Sequence, residues 1–434
     1  MPSRRRLPLT LQAYRRLSAA ATPFAGAIIK RRLKKNKEDP ARTGERRGFS
    51  SLERPAGPLV WIHGASVGEV LAVGGLIDDL YMRGFQILLT SGTATSAAVV
   101  ASRFSGKVIH QYIPYDVPRF VARFLDHWQP DLALFVESDL WPNLILGCGR
   151  RRVPMVLING RMSQRSFPRW QRLSVTIREL LGRFDLCVVQ SETDASRFSA
   201  LGGRDVVIAG NLKLDVNAPP ANRERLEQLR SVTHGRPVVV AASTHPGEEE
   251  LIAAAHVRLA ETYPSLLTII VPRHPARGPE VAQMIADGGC EVALRSHGEL
   301  PSADTEIYVA DTMGELGLFY RLSPIVFMGG SLVEHGGQNP IEAIKLGAAI
   351  VHGPHVFNFT DLYRALDHSG GALNVADVEA LAERIGVWLG DEGARQDSVM
   401  AAEGVVRDMG GALRKTLSAI QPYLMQIELG AHDA

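Results

Sequence analysis

Short apolar runs that end on small or polar residues, with helix-like stretches between them, constrain the fold of this chain most. LVWIH, QILLTSG, DLALFVES, VPMVLING, LCVVQS and DVVIAGN form one series after residue 58; RPVVVAAS, LLTIIVPRH, EIYVAD, SPIVFMGGS and AAIVHGP form a second. Runs that are apolar throughout, instead of alternating, belong to strands buried on both faces, and their recurrence between helices predicts parallel sheets of β/α units. Two series in 434 residues predict an α/β protein of two doubly wound, Rossmann-like domains facing a cleft. The expected bounds are a basic segment 1–48, a first domain 49–215, a linker 216–235 marked by Pro219-Pro220, a second domain 236–404 and a closing helix 405–434.

Charge separates the N-terminus from the rest. Residues 1–48 carry 14 Lys and Arg against 3 Asp and Glu, whereas the remainder carries 34 against 43. Leu7, Leu9, Leu11, Tyr14, Leu17, Phe24, Ile28 and Ile29 are interleaved with those cations, the mix expected of a segment lying on an anionic membrane surface. A solvated basic tail and a nucleic-acid arm are the competing readings; the membrane surface is preferred and no nucleic-acid partner is expected. The longest charge-free N-terminal stretch, Leu17 to Ile29, contains Pro23 and Gly26 and is too short to span a bilayer. Cys148, Cys187 and Cys290 stand far apart, which suggests neither a disulfide framework nor a thiolate zinc site, and points to a reducing, cytoplasmic address.

Ligands of open parallel sheets bind beyond the carboxyl ends of the strands, so the residues after each apolar run are the candidates. The richest is GGSLVEHGGQNPIEAIKLG. Its glycine pairs, 329–330 and 336–337, would let backbone N–H groups approach an anion; Asn339 would cap a helix with Pro340 at its first position, and Glu342 would reach ribose hydroxyls. Arg273, ending VPRHP, is a fixed cation suited to a phosphate. Gly314-Glu315-Leu316 in DTMGEL would open a further helix. No D-x-D with an apolar lead-in is present, His352 and His355 are separated by Gly-Pro, and no G-x-x-x-x-G-K-[ST] loop occurs, so neither a metal, a cofactor nor triphosphatase chemistry is expected.

The loop HGASVGE, residues 63–69, has two chemical readings. Gly64-Ala65-Ser66-Val67-Gly68 fits the nucleophile elbow of serine esterases. Glu69 fits a general base acting on an acceptor hydroxyl, or a helix-capping carboxylate with no chemistry.

HGASVGE, ESDLWPN at 137–143, NGRMSQRS at 159–166, GNLKLD at 210–215, VPRHP, GGSLVEHGGQNPIEA and GPHVFNF at 353–359 together resemble the 3-deoxy-D-manno-octulosonic acid (Kdo) transferases of lipid A and lipopolysaccharide assembly, in order from about residue 40 to about 370. That resemblance implies the glycosyltransferase type B fold, CMP-Kdo as donor, a lipid A precursor as acceptor, and inversion without a metal, at the cytoplasmic face of the bacterial inner membrane. It implies that Glu69 is the general base and that Glu137 and Lys213 support the transition state. It assigns Pro272 and Arg273, Met313, Gly314, Glu315 and Leu316, Ser331, and Asn339, Pro340, Ile341 and Glu342 to CMP. His63, Ser66 and Arg161 are acceptor-side candidates. Rival readings are a UDP-sugar transferase of the same fold, a serine esterase and a silent lipid-binding scaffold.

Overall fold

The structure is a computed structural model and describes residues 7–34 and 38–432. Within them the chain forms two compact units: one runs to Val216 and takes the chain back from Gly410, and the other spans Asn217–Met409.

The first unit is built on seven parallel strands, β1 (Leu59–His63), β2 (Gln86–Ser91), β3 (Ile109–Tyr112), β4 (Leu132–Val136), β5 (Met155–Gly160), β6 (Leu186–Val189) and β7 (Val206–Ile208), in the order β3-β2-β1-β4-β5-β6-β7. Every residue of β1 is buried, because both faces of the sheet are covered. Leu59 and Trp61 point to one face, where Trp61 packs edge-on against Phe124 and Phe135; Val60 and Ile62 point to the other.

The second unit repeats the plan with β8 (Val238–Thr244), β9 (Leu267–Pro272), β10 (Val292–Leu294), β11 (Ile307–Val309), β12 (Ile325–Met328), β13 (Ala349–His352) and β14 (Ala372–Asn374), all parallel, in the order β10-β11-β9-β8-β12-β13-β14. In each sheet the first strand lies beside one that comes much later, β1 beside β4 and β8 beside β12. There the crossovers change direction, which opens a crevice at the carboxyl ends.

Three features differ from the sequence reading. The helix-like stretch of the expected linker is a helix, Arg223–Val232, but it belongs to the second unit and is no linker. The expected single closing helix is two, Glu392–Met409 and Ala412–His432, broken at Gly410-Gly411. Gly411 holds φ at +84°, and the Asp215 carboxylate accepts the Gly411 and Leu413 N–H groups at 2.9 and 2.5 Å, capping the second helix. Leu413, Leu417, Ile420, Leu424 and Ile427 then form a stripe at helical spacing against the first unit's core.

The third difference is at the N-terminus. Residues 7–34 and 38–48 are packed onto the first unit and are no separate tail: Leu11, Ala25 and Ile29 are buried, Tyr14 donates to Asp116 at 2.9 Å, and the Asn143 amide donates to Ser18 at 3.0 Å. Part of the basic excess is consumed inside. Arg46 is buried and donates to Glu38, to the Ile113 carbonyl and to the Gly92 carbonyl; Arg42 is paired with Glu45, and Arg32 with Glu38. Arg4 to Arg6 and Lys35 to Lys37 lie outside the described residues. Among the described residues no helix is long and apolar enough to cross a membrane.

Candidate active site

At the first unit's crevice, the loop leaving β1 turns into the helix Val67–Ala72. Ser66 is its cap at φ −120° and ψ 166°, ordinary extended backbone without the strain of a nucleophile elbow. Its hydroxyl donates to Glu69 Oε1 at 2.8 Å, while Glu69 Oε2 accepts the Ala65 N–H at 2.8 Å. Ser66 therefore serves the carboxylate and has no histidine to activate it. The esterase reading is corrected on that ground.

His63 is also not where an acceptor could touch it, since it is fully buried. Trp61 Nε1 donates to Thr90 Oγ1 at 2.9 Å, so the Thr90 hydrogen is free to point to His63 Nδ1, 3.0 Å away. That order leaves the imidazole proton on Nε2, 3.4 Å from Asp139 Oδ2. Burial opposes the Asp139 charge, but the neighbouring His63 ring, with Trp141, outweighs it and holds the Asp139 carboxyl below the usual range.

Glu69 behaves in the opposite way. Burial pushes its carboxyl up, the hydrogen bonds from Ser66 and Ala65 counter this only partly, and the charges of Glu137 and Asp139 push it further. Glu137, the first residue after β4, sits at φ +61°, a left-handed conformation that costs a non-glycine residue about 1–3 kcal/mol. What holds it there is its N–H on the Ile158 carbonyl at 2.9 Å and a 2.6 Å ion pair with Lys213. Lys213 is placed in turn by Asn159, itself at φ +52°, whose Oδ1 accepts the Leu212 N–H, and by Asn211, which accepts the Lys213 N–H. Three loops thus bring Glu69, Glu137 and Lys213 to one end of one sheet. Arg161, next to Gly160 at the end of β5, is exposed to solvent.

The second unit's crevice departs more from expectation. The N–H groups of Gly330, Ser331 and Leu332 do not wait for a phosphate: they donate to the fully buried carboxylate of Glu248, at 2.6, 2.9 and 3.0 Å, and the His245 N–H joins them at 2.9 Å. Gly329 is glycine because a Cβ there would collide with the Ser243 carbonyl at the end of β8. Ser331 is buried, its hydroxyl donating to the Met328 carbonyl and accepting the Gly353 N–H, so it braces the loop and is inaccessible to CMP. Asn339 Oδ1 accepts the Ile341 N–H at 3.1 Å as a cap, but the helix behind it, Ile341–Ile344, is a single turn with Pro340 just before it, too short for much of a dipole. Ile341 is buried; Glu342 is half-buried, and its charge adds to burial in holding the Tyr320 phenol protonated.

Pro272 closes β9 and is buried, and Arg273 beside it is exposed. Met313 is exposed, Gly314 takes φ +79°, and Leu316 begins the helix Leu316–Tyr320. Glu315 is not open to a ribose. Arg295 clasps both its oxygens at 2.5 and 2.8 Å, Arg225 reaches it at 2.7 Å, and Thr312 donates to it. Burial resists the charge, yet these donors carry the Glu315 carboxyl down to about 2.

Residues 41–216 match the model of the 3-deoxy-D-manno-octulosonic-acid transferase (kdotransferase) family. A 3-deoxy-D-manno-octulosonic acid transferase of Haemophilus influenzae is 36% identical over 392 residues, covering 88% of this chain and 91% of that one. The chain belongs to the 3-deoxy-D-manno-octulosonic acid transferase family. This Kdo transferase family member is a glycosyltransferase, and its fold is the two-domain type B fold. A glycosyltransferase of Rickettsia africae and a UDP-GlcNAc 2-epimerase of Neisseria meningitidis share that fold, each with a TM-score of 0.57 over 85% of this chain, covering 99% and 100% of their own, at 12% and 13% identity.

Sequence reasoning gave no role to several residues that brace the crevice of one unit or the other in this Kdo transferase family member. Asp139 and Asn159 stood inside quoted motifs, but only the strained backbone and the Thr90–His63 relay reveal what they do. Arg225 and Arg295 lie outside every motif, and the first was assigned to a linker. His245, a strand-end residue, and His335, in the loop read for its glycines, were given no role, yet their rings stack 3.7 Å apart.

Proposed function

We propose that this enzyme transfers Kdo from CMP-Kdo to a hydroxyl of a lipid A precursor, with inversion and without a metal, and that Glu69 takes the proton of that hydroxyl. The observation that carries the reading is the raised carboxyl of Glu69 beside the Glu137–Lys213 pair at the first unit's crevice. A general base is effective when it is ionised at working pH yet basic enough to accept the proton, which is what partial burial among carboxylates provides. The acceptor oxygen then attacks the anomeric carbon as the bond to the CMP phosphate breaks, and the electron pair leaves with the phosphate. One displacement inverts the centre, so a single carboxylate suffices. Arg273 is the donor-side cation, with Pro272, Met313 to Leu316 and Asn339 to Glu342 as the segments that receive the nucleotide; Glu315 shapes its segment through Arg295 and Arg225.

The acceptor is a membrane lipid, and the N-terminal helices suit that. Leu9, Leu17, Phe24 and Ile28 are 81%, 71%, 66% and 47% exposed, alongside exposed Arg16, Lys30, Arg31 and Lys34. We infer that this face lies on the anionic cytoplasmic surface of the bacterial inner membrane. Because Arg46 is buried in the same segment, point substitutions test this better than truncation: Leu17→Asp with Phe24→Asp should release the protein from anionic vesicles in low salt, and undiminished binding contradicts it.

The reaction is tested by incubating a tetraacyl lipid A precursor with the enzyme and freshly generated CMP-Kdo, followed by mass spectrometry. Addition of one or two Kdo masses supports the reading. An unmodified acceptor, or transfer from a UDP-sugar instead, contradicts it.

A further inference from the structure

The crevice of the second unit carries a cluster that the roles above leave unused. β8 ends in a register shift between Ala242 and Thr244, with Ser243 at φ +57°, and this kink turns His245 toward the loop after β12. The imidazole of His245 is buried and covered by that of His335, which is exposed; the two rings lie 3.7 Å apart at 30°. His274 meets His245 edge-on at 6.2 Å, and the Gln338 amide nitrogen lies 3.2 Å from His245 Nε2, donating to its lone pair.

The charges around the pair are predominantly positive. Arg273 and Arg277 join the three imidazoles, and burial together with these cationic neighbours pushes His245 down to about 4. Two carboxylates are close, and both are engaged. Glu248 is held by four backbone N–H groups, while Glu249 is paired with Arg277 at 2.7 Å and accepts the Thr244 hydroxyl. In that surrounding the His245 imidazole stays neutral until a further negative charge arrives from outside the protein.

We propose that the His245–His335 pair forms an anion subsite for the phosphate of the donor nucleotide and takes up a proton when that phosphate docks beside Arg273. This deepens the CMP-Kdo reading and rests on it. An anion beside the pair reverses the local potential, so the imidazole that was held neutral becomes the favoured place for a proton. Gln338 adapts by turning its amide, offering its carbonyl to the protonated nitrogen. The departing phosphate monoester gains negative charge as transfer proceeds, and the protonated pair answers it without a metal.

The test is calorimetric titration of the full chain with CMP at neutral pH in buffers of different ionisation enthalpy, which reads protons taken up per nucleotide bound. The wild type should take up about one proton more than either His245→Asn or His335→Asn; the phosphate's own protonation is common to all three and cancels. His335 is exposed, so its variant keeps the fold if the buried His245 does not tolerate change. Equal uptake in the wild type and a folded, CMP-binding His335→Asn overturns the proposal while leaving the donor reading intact. Failure of the wild type to bind CMP overturns both.

Discussion

In the first unit the loops leaving β1 and β4 carry Glu69, Glu137 and Asp139; in the second, the loops leaving β8 and β12 carry His245, Glu248 and His335. The address in the sheet is the same and the chemistry is opposite. The contrast is sharpest between two glutamates, each in the first turn after its unit's first strand. Glu69 accepts one backbone N–H and one hydroxyl and is held above its ordinary range, whereas Glu248 accepts four N–H groups and is sealed from solvent. Position in the fold brings a carboxylate to the crevice. The number of donors around it decides whether it remains reactive or becomes part of the frame.

The comparison breaks most visibly at Lys213. Lys213→Ala leaves Glu137 in a left-handed conformation without its cation and should slow transfer by about a hundredfold or more, with CMP affinity unchanged in a binding titration; a loss of only a few-fold contradicts the supporting role. Glu248→Gln should act on stability instead. It replaces charge-assisted bonds with neutral ones and forces an NH2 against N–H donors, costing about 3 kcal/mol, seen as a clear fall in Tm; an unchanged Tm means that the loop holds itself. Asp139→Asn gives the smallest effect. Removing a neighbouring negative charge lowers the Glu69 carboxyl, so the acid limb of the pH–kcat profile should move to lower pH; a limb that stays in place separates Asp139 from the base.

Much of this was legible in the sequence, and the failures have physical causes. The eleven apolar runs are all strands, ten of them because burial on both faces demands continuous hydrophobicity, while DVVIAGN is the half-exposed edge strand β7. The strands missed, β3, β10 and β14, lie at sheet edges, where one side is unpaired and a run such as IHQY is too polar and short to announce itself. Glu69, Glu137 and Lys213 were named and meet at one sheet end. The first glycine pair was read as part of an anion cradle because sequence cannot reveal that Glu248, some eighty positions earlier, already takes the N–H groups of Gly330, Ser331 and Leu332. The N-terminal charge was overcounted for the same reason: Arg46 looks like surface in a basic run, and only folding shows it paired inside with Glu38.

The central claim is that Glu69 is the base, and the most direct measurement is product formation by Glu69→Gln beside Ser66→Ala, both shown to bind CMP. A carboxyl raised in the folded state contributes stability below its unfolded value and loses it as pH rises through the folded one, so Glu69→Gln should be no less stable than wild type at pH 7. The account predicts a folded, CMP-binding Glu69→Gln enzyme whose transfer is lost by about a hundredfold or more, while Ser66→Ala, deprived of a helix cap worth about 1 kcal/mol and of one hydrogen bond to the Glu69 carboxylate, still glycosylates the acceptor. Transfer by Glu69→Gln at a rate near wild type, or its abolition by Ser66→Ala alone, would contradict it.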